Sequence, residues 1–553
     1  MAETQTTGIQ VGGIQAGGIH AVGTSAGETP TIDIKRDRLV IVASSLGTVF
    51  EWYDFFVYGT LAALIGKLFF PGASASAGFL LALATFGAGF GVRPVGAVVF
   101  GVLGDRLGRK YTFLVTISLM GLATGSIGFL PTFAQAGIIA PILLVAMRLL
   151  QGLALGGEYG GAAIYVAEHA PANRRGFYTS FIQASVIGGF LLSLAVVLAS
   201  GAFVDPAQWE AWGWRIPFLF SFFLLAVSLW IRLKLKESPV FAAMKAAGET
   251  SKNPLREAFN TGAKVRRVFA AMIGVAAGLT VVWYTAQFQA LYFLQNALRM
   301  DDTAARIVIG IAACFSLIWF VLFGWLSDRI GRKKIILTGY ALTMILMFPL
   351  FHWMAALANP GLSAAMARAP VVVTGSDCSY DPFANKGQPT ACGKLLDALS
   401  KKGVAYTKVE GVPGAASGVK LGGTVVDVSD PILLERALKA NGYPLDKTVP
   451  PLRKAALLVF VVTIIGFLSG MTFGPVAAYL VELFPARTRY TSLSIPYHIG
   501  TGYFGGFLPF ISQYVVARTG DPFAGIWYTV IVVAVAFVVL AFGLPETSGK
   551  ELD

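Results

Sequence analysis

Twelve runs of about 20 apolar residues divide this chain, near 38–66, 78–103, 111–131, 138–168, 177–201, 215–235, 266–297, 304–326, 334–357, 455–484, 490–518 and 523–544. A run of that length crosses the hydrocarbon core of a bilayer as one α-helix. The chain is 55% hydrophobic and only 13% charged, whereas a soluble domain averages about 25% charged residues. The reading is an all-α polytopic membrane protein with the lipid bilayer as its permanent partner.

A short polar gap after the second run carries Gly101-Val-Leu-Gly-Asp105-Arg106-Leu-Gly108-Arg109-Lys110, and the gap after the eighth carries Gly324-Trp-Leu-Ser-Asp328-Arg329-Ile-Gly331-Arg332-Lys333. The two are nearly the same stretch, 223 residues apart (101 to 324). A second pair, Tyr165-Val-Ala-Glu168 continuing to Arg175 and Tyr479-Leu-Val-Glu482 continuing to Arg489, lies 314 residues apart (165 to 479). A fixed period marks a duplication, so the chain has two related halves. The second half holds an additional stretch of 91 residues between Lys333 and Tyr479, the difference of the two offsets.

The formal net charge of +13 would fit nucleic acid, but the basic residues decide otherwise by where they fall. They crowd into alternate gaps: Lys35 to Arg38, Arg106 to Lys110, Arg174 and Arg175, Arg232 to Arg267, Arg329 to Lys334, and Arg487 with Arg489. That asymmetry is the positive-inside pattern. It predicts both termini in the cytoplasm and no nucleic-acid partner. Residues 1–34 read as a disordered cytoplasmic tail with no cleavable signal peptide. Residues 35–235 form the N-terminal six-helix half, 236–265 a basic cytoplasmic linker opened by Pro239, 266–357 helices seven to nine, and 455–553 helices ten to twelve with the tail.

This topology puts residues 358–454 on the periplasmic or extracellular side. They read as a small α/β unit, with Val371 to Thr374, Val404 to Val409 and Thr424 to Val428 β-prone, and Lys394 to Lys402 and Pro431 to Ala440 helical. Asp430 is the expected N-cap of the last helix, and Gly442 stands just past its end. Cys378 and Cys392 are expected to form a disulfide in that oxidising space; two buried thiols are the plainer alternative. Cys314, in the eighth run, reads as ordinary packing.

Two six-helix halves, each with Gly-x-x-x-Asp-Arg-x-Gly-Arg-Lys after its second helix, resemble the major facilitator superfamily. Glu51-Trp-Tyr-Asp54-Phe-Phe-Val-Tyr58-Gly, Arg93-Pro94-Val-Gly96 and Arg148-Leu-Leu-Gln151-Gly narrow the resemblance to its metabolite:proton symporters, whose members carry organic acids or zwitterions. Pro545-Glu-Thr-x-Gly549 and Glu237-Ser-Pro239 are similar to sugar porters. The insert departs from the family pattern.

Ionisable groups at membrane depth are costly and are functional candidates by default. Glu51, Asp54 and Tyr58 share one helix face by their i, i+3 and i+7 spacing, on the helix that the resemblance places beside the central cavity. A partly desolvated carboxyl there would answer to a nearby arginine. Glu51, Asp54 and Arg148 are therefore the expected proton-coupling residues, Arg148 because it matches the superfamily's Arg-x-x-Gln-Gly motif. Arg93 is expected to bind a substrate carboxylate, with Tyr58, Gln151, Tyr284, Gln287, Tyr497 and His498 completing the site. A permanent ion pair bracing the helices is the plainer alternative. The glycines at 152, 156, 157, 160 and 161 read as close-packing positions within an apolar span rather than as a phosphate loop.

The resemblance implies that Asp105, Arg106, Arg109, Asp328, Arg329 and Arg332 gate the cytoplasmic side, with the aspartates meeting a facing helix end. Together these readings give an inner-membrane symporter that moves a small organic acid with protons by alternating access. A proton-independent sugar or polyol facilitator, and a transporter-like sensor whose insert binds an unknown partner, are the alternatives. No enzyme activity, cofactor or metal site is expected, because the four histidines at 20, 169, 352 and 498 form no ligand set.

Overall fold

The computed structural model describes residues 34–71, 75–107, 109–157, 159–233, 254–384, 388–411, 417–426, 431–485, 488–550 and 552. The expected tail up to residue 33, the linker segment 236–253 with Pro239, and the Asp430 cap lie outside the described residues. The segment ending at Val40 forms a unit of its own, of which the described part, 34–40, is helical.

All twelve apolar runs are helical. Eight meet the length and apolarity of a membrane span on their own, and a ninth does so if the bent pair Pro206–Gly213 and Arg215–Ile231 counts as one. Three fall short for local reasons. The first breaks at Leu61 into Ile34–Thr60 and Ala62–Phe69, the third is described as apolar over Leu114–Ile127, and the eleventh is interrupted by Gly500–Gly506. In that last stretch the turns widen to π-geometry, as they do three times in the seventh helix, at Met272–Ala277, Thr285–Gln289 and Phe293–Ala297. Wide turns recur at functional sites in long helices. Here two of them face each other: a Cβ on Gly500 would lie 2.5 Å from that of Ala276.

The second helix shows how sequence sets a bend. Pro94 has no N–H to give the preceding turn, and the helix is split at Val92 between Ala75–Gly91 and Arg93–Leu107. It then packs backbone against backbone on the fourth. A Cβ on Gly152 would sit 1.6 Å from the Gly89 carbonyl oxygen, and one on Gly156 would sit 2.1 Å from that of Arg93. The glycine run is thus a packing surface that brings Arg93 and Arg148 close together.

The chain from Pro360 to Ala440 folds into the small α/β unit. Its sheet has the order β2-β1-β3-β4, where β1 is Val371–Gly375, β2 Thr407–Glu410, β3 Gly418–Leu421 and β4 Thr424–Val426. β1 pairs parallel with β2 and antiparallel with β3. The expectation missed β3, a four-residue strand with a glycine at its start. Its partner β4 follows across Gly422 and Gly423, both at positive φ (56° and 90°), the backbone that a two-residue hairpin with right-handed strand twist requires. The Val404 strand starts later, at Thr407. The helix expected from Lys394 starts earlier, at Ala391, because the Thr390 hydroxyl accepts from Gly393 N at 2.9 Å. Pro431–Ala440 is helical as expected, and Gly442 follows at φ 80°.

Cys378 and Cys392 are joined; Cys314 is free and exposed on the eighth helix. On the insert surface Lys402 and Lys439 reach Glu435 at 2.7 and 2.9 Å, and their hydrogen bonds hold its carboxyl down at about 2. That carboxylate stays ionised until the pH falls through that value.

Closing a 15-residue loop stabilises by roughly 3 kcal/mol in the chain-entropy model. The Cys378→Ser, Cys392→Ser variant should lose about that much stability in the insert alone. Limited proteolysis should nick it within 371–426 while the helical circular dichroism is unchanged; nicking at the wild-type rate would refute this.

Candidate functional site

Two small cavities lie where the halves meet at mid-depth. The first, about 10 Å³, is walled by Thr48, Glu51, Trp52 and Arg93 of the first half with Tyr497 and His498 of the second. The second, about 20 Å³, adds Thr280, Trp283 and Tyr284. Each holds about one water. The halves are therefore drawn together around the site.

The polar groups there are underused. The Nε and Nη2 atoms of Arg93, both ring nitrogens of His498, the Tyr284 hydroxyl and the Trp283 Nε1 are buried without hydrogen-bond partners. Arg93 is 1% exposed. Its guanidinium lies 3.7 Å from the Phe90 ring centroid, 4.6 Å from Phe55 and 5.2 Å from Trp52. Such aromatic contacts offset part of the desolvation of a cation, but each unmade hydrogen bond still costs about 1–3 kcal/mol. A charge kept this way is poised for an anion that would complete its donors.

Arg148 is placed differently. Its Nη1 donates to Gln151 Oε1 at 2.6 Å, and Gln151 Nε2 donates to the Thr124 hydroxyl at 2.6 Å and to the Asp54 carbonyl at 3.4 Å. Tyr58 lies beneath Arg148, 4.5 Å from guanidinium to ring, and its hydroxyl donates to Ala82 O at 3.1 Å. Arg148, Gln151 and Tyr58 thus form a network inside the first half, outside the cavity walls. Asp54 is buried beside them with Oδ1 unpartnered. Among the described residues no ion pair joins Asp54 to Arg93 or Arg148, so the bracing-pair alternative does not hold for Asp54. Gln287 is buried in the Thr285–Gln289 π-turns and lines neither cavity. Tyr497 stacks on Tyr159 of the other half at 3.7 Å.

Below the cavity, at the end that carries the repeated motifs, the halves exchange hydrogen bonds and ion pairs. Asp328 accepts from Gly176 N and Phe177 N, both at 2.8 Å, at the start of the helix Arg175–Phe203. A carboxylate there meets the positive end of the helix dipole. Arg332 reaches Asp328 at 2.7 Å and Glu482 at 3.1 Å. Arg175 reaches Glu482 at 3.7 Å, and Arg489 reaches Glu168 at 3.0 Å. Those last two pairs are pseudo-symmetric, each crossing between the halves. The second repeated motif contains all four residues, and its recurrence was the signal for them; the sequence reading quoted the motif without assigning them. Gly331, at φ 108°, lets the turn close against Glu546, which accepts from Arg332 N and Lys333 N. Arg329 points elsewhere, over the Trp325 ring at 4.0 Å. The side chains of Asp105, Arg106 and Arg109 lie outside the described residues.

Known proteins resemble this chain in sequence and in fold. A family model described as "Sugar (and other) transporter" matches residues 39–274 and 443–553, breaking off before the insert and resuming near its end. The chain belongs to this family of the major facilitator superfamily. It is a multi-pass membrane transporter. It is 39% identical over 328 residues to the shikimate transporter of Escherichia coli (strain K12), covering 58% of this chain and 73% of that protein. It is 37% identical over 335 residues to the proline/betaine transporter of Salmonella typhimurium, covering 59% of this chain and 66% of that one. Its fold matches the partially occluded inward-open xylose transporter XylE from E. coli with a TM-score of 0.59 at 17% identity, covering 93% of this chain and 99% of that one.

Backbone contact between the second and fourth helices leaves no room for a side chain at Gly152. Gly152→Ala should lower stability by about 1–3 kcal/mol, seen as a reduced unfolding temperature in detergent. An unchanged temperature would show that the helices separate at no cost.

Proposed function

We propose that this transporter carries a small organic acid together with protons, by alternating access between its halves. The observation that carries the reading is Arg93: a fully buried guanidinium with two unsatisfied nitrogens, in one cavity with Glu51 and His498. An incoming carboxylate would supply acceptors for Arg93 and neutralise it. Glu51, in the same wall, is the carboxyl whose protonation would answer to that charge. Asp54, buried and unpaired by any arginine, is the second candidate for the proton, with Arg148 and Gln151 positioning its helix. The names of the two relatives support a carboxylate-bearing solute, acid or zwitterion.

In this reading the motif end is cytoplasmic, as the basic loops imply, and the insert is extracytoplasmic, the protein residing in the inner membrane. The contacts of Asp328, Arg332, Glu482, Arg175, Glu168 and Arg489 hold the cytoplasmic side shut. They must part for release. Asp105 and Arg109 are proposed to act as the first-half counterparts of Asp328 and Arg332.

Uptake of labelled shikimate, proline and betaine into proteoliposomes, with and without an inward proton gradient, tests the reading. Gradient-driven uptake of at least one solute is expected, with a loss of about 100-fold or more in Arg93→Ala, since a charge-assisted pair of about 3 kcal/mol is removed. Equal uptake without a gradient would exclude symport. Glu51→Gln should keep exchange of internal for external solute while losing gradient-driven accumulation.

Asp328→Asn removes the carboxylate at the Gly176 and Phe177 amides. It should shift the protein toward the inward-open state, raising the labelling of a cysteine at Thr48 from the cytoplasmic side. An unchanged labelling rate would remove Asp328 from the gate.

A further inference from the structure

The insert is held to the second half by a set of hydrogen bonds and an ion pair. Arg299, at the strained φ of 52°, donates through Nη1 to Lys402 O at 2.6 Å and through Nη2 to Leu445 O. Its carbonyl accepts from Thr448 N, and Asp301 N donates to Thr448 O, both at 2.9 Å. Lys447 pairs with Asp302 at 2.6 Å. On the other side Tyr406 N donates to Gly520 O, Lys408 donates to Arg518 O, and Phe383 packs on Tyr514. All these partners belong to the second half, at the connection between the seventh and eighth helices and at the end of the eleventh. Toward the first half, the insert helix Ala391–Lys401 packs against Ala75–Gly91 of the second helix.

Between the insert and the first half lies a chamber of about 790 Å³. Ser400, Tyr406 and Lys447 line it from the insert, Phe293, Arg299 and Phe523 from the second half, and Lys67 and Phe79 from the first. Its volume falls within the range of small-molecule pockets, roughly 300–1,000 Å³. Its described walls hold the cations Lys67, Arg299 and Lys447 and no carboxylate. Glu210 and Asp302 reach Lys67 and Lys447 at 2.5 and 2.6 Å, but pairs this exposed are worth little and leave each ammonium two donors. Arg299 Nε is buried without a partner. The rest of the wall is mainly apolar, with the rings of Phe79, Phe293, Tyr406 and Phe523 among aliphatic and small side chains.

We propose that this chamber is a second solute site, an antechamber under the insert that takes a small organic anion with an apolar body before it reaches Arg93. This rests on the proposed transport of an organic acid and adds where that acid first binds. The insert rides on the second half as the roof, so rocking of the halves opens and closes the chamber against the wall that carries Lys67 and Phe79.

The test uses the full chain with Cys314→Ser and the native disulfide retained. Ser400→Cys reports the chamber, and Val425→Cys, 69% exposed on β4, reports the insert's outer surface. Shikimate and benzoate are the probes, and labelling by a membrane-impermeant maleimide is the readout. Saturating acid should slow labelling at Ser400→Cys about tenfold and leave Val425→Cys unaffected. Protection should persist when Arg93→Ala has abolished uptake, and should be lost in Lys67→Gln with Lys447→Gln, where KM for uptake rises about tenfold with kcat retained. Uptake by the wild type without protection at Ser400→Cys would overturn the antechamber and leave the central site standing. Protection without gradient-driven uptake would do the reverse, and neither effect would overturn both.

Discussion

The exchange of carboxylates between the halves at one end of the bundle is the densest polar contact that joins them. Asp328 sits on the amides that open the Arg175–Phe203 helix, and Glu168 and Glu482 each take an arginine from the opposite half. Glu482 is buried with Arg332, Arg175 and the Thr547 hydroxyl around it. A buried charge is tolerated because its partners are so numerous, and removing one partner strands the rest. At mid-depth Phe56 of the first helix stacks on Trp283 of the seventh at 5.0 Å, and the cavity between the halves measures about 10 Å³.

Against this satisfied network the central site is polar and unsatisfied. Arg93 has rings for neighbours where Arg332 has carboxylates. The contrast separates two settings of arginine within one membrane protein: one sits in a polar network where the halves meet, the other among aromatic faces that give a cation some attraction and no hydrogen bond. The bend at Val92 and the glycine contact with the fourth helix put Arg93 there, so a proline and two glycines position a charge they never touch. At the opposite end, the insert is bound to the second half through Arg299 and Asp302, packs on the first through Ala391–Lys401, and encloses a chamber with both. The central cavity and that chamber therefore both lie on the boundary between the halves.

Much of this was legible in the sequence. Apolar runs, basic gaps and two repeated motifs suffice for a twelve-helix membrane protein in two halves, because the bilayer fixes helix length and a duplication preserves motif spacing. The glycines of the fourth helix were readable as packing positions, since a side-chain-free stripe inside an apolar span has little other use. The two cysteines of the insert stood close enough in sequence to pair. The β3 strand was hidden by its shortness, and the helix expected from Lys394 began early because a threonine cap outweighed the charged residue taken as its start.

The candidate site was legible as a list and not as an arrangement. Helical spacing put Glu51, Asp54 and Tyr58 on one broad face, but that face spans both the cavity and the interior of the first half. Only packing decided that Glu51 joins Arg93 in the cavity wall, that Tyr58 lies against Arg148, and that Asp54 gives Gln151 its backbone carbonyl and not its carboxylate. The pairing of Glu168 with Arg489 and of Glu482 with Arg175 was likewise present in the repeat, yet the partners are more than 300 residues apart and meet because two homologous halves face each other. By itself the sequence determined the membrane, the helices and the duplication, since these follow from local hydropathy and spacing. Only the tertiary structure decided which charges are satisfied and which are left open, because that depends on which helix faces which.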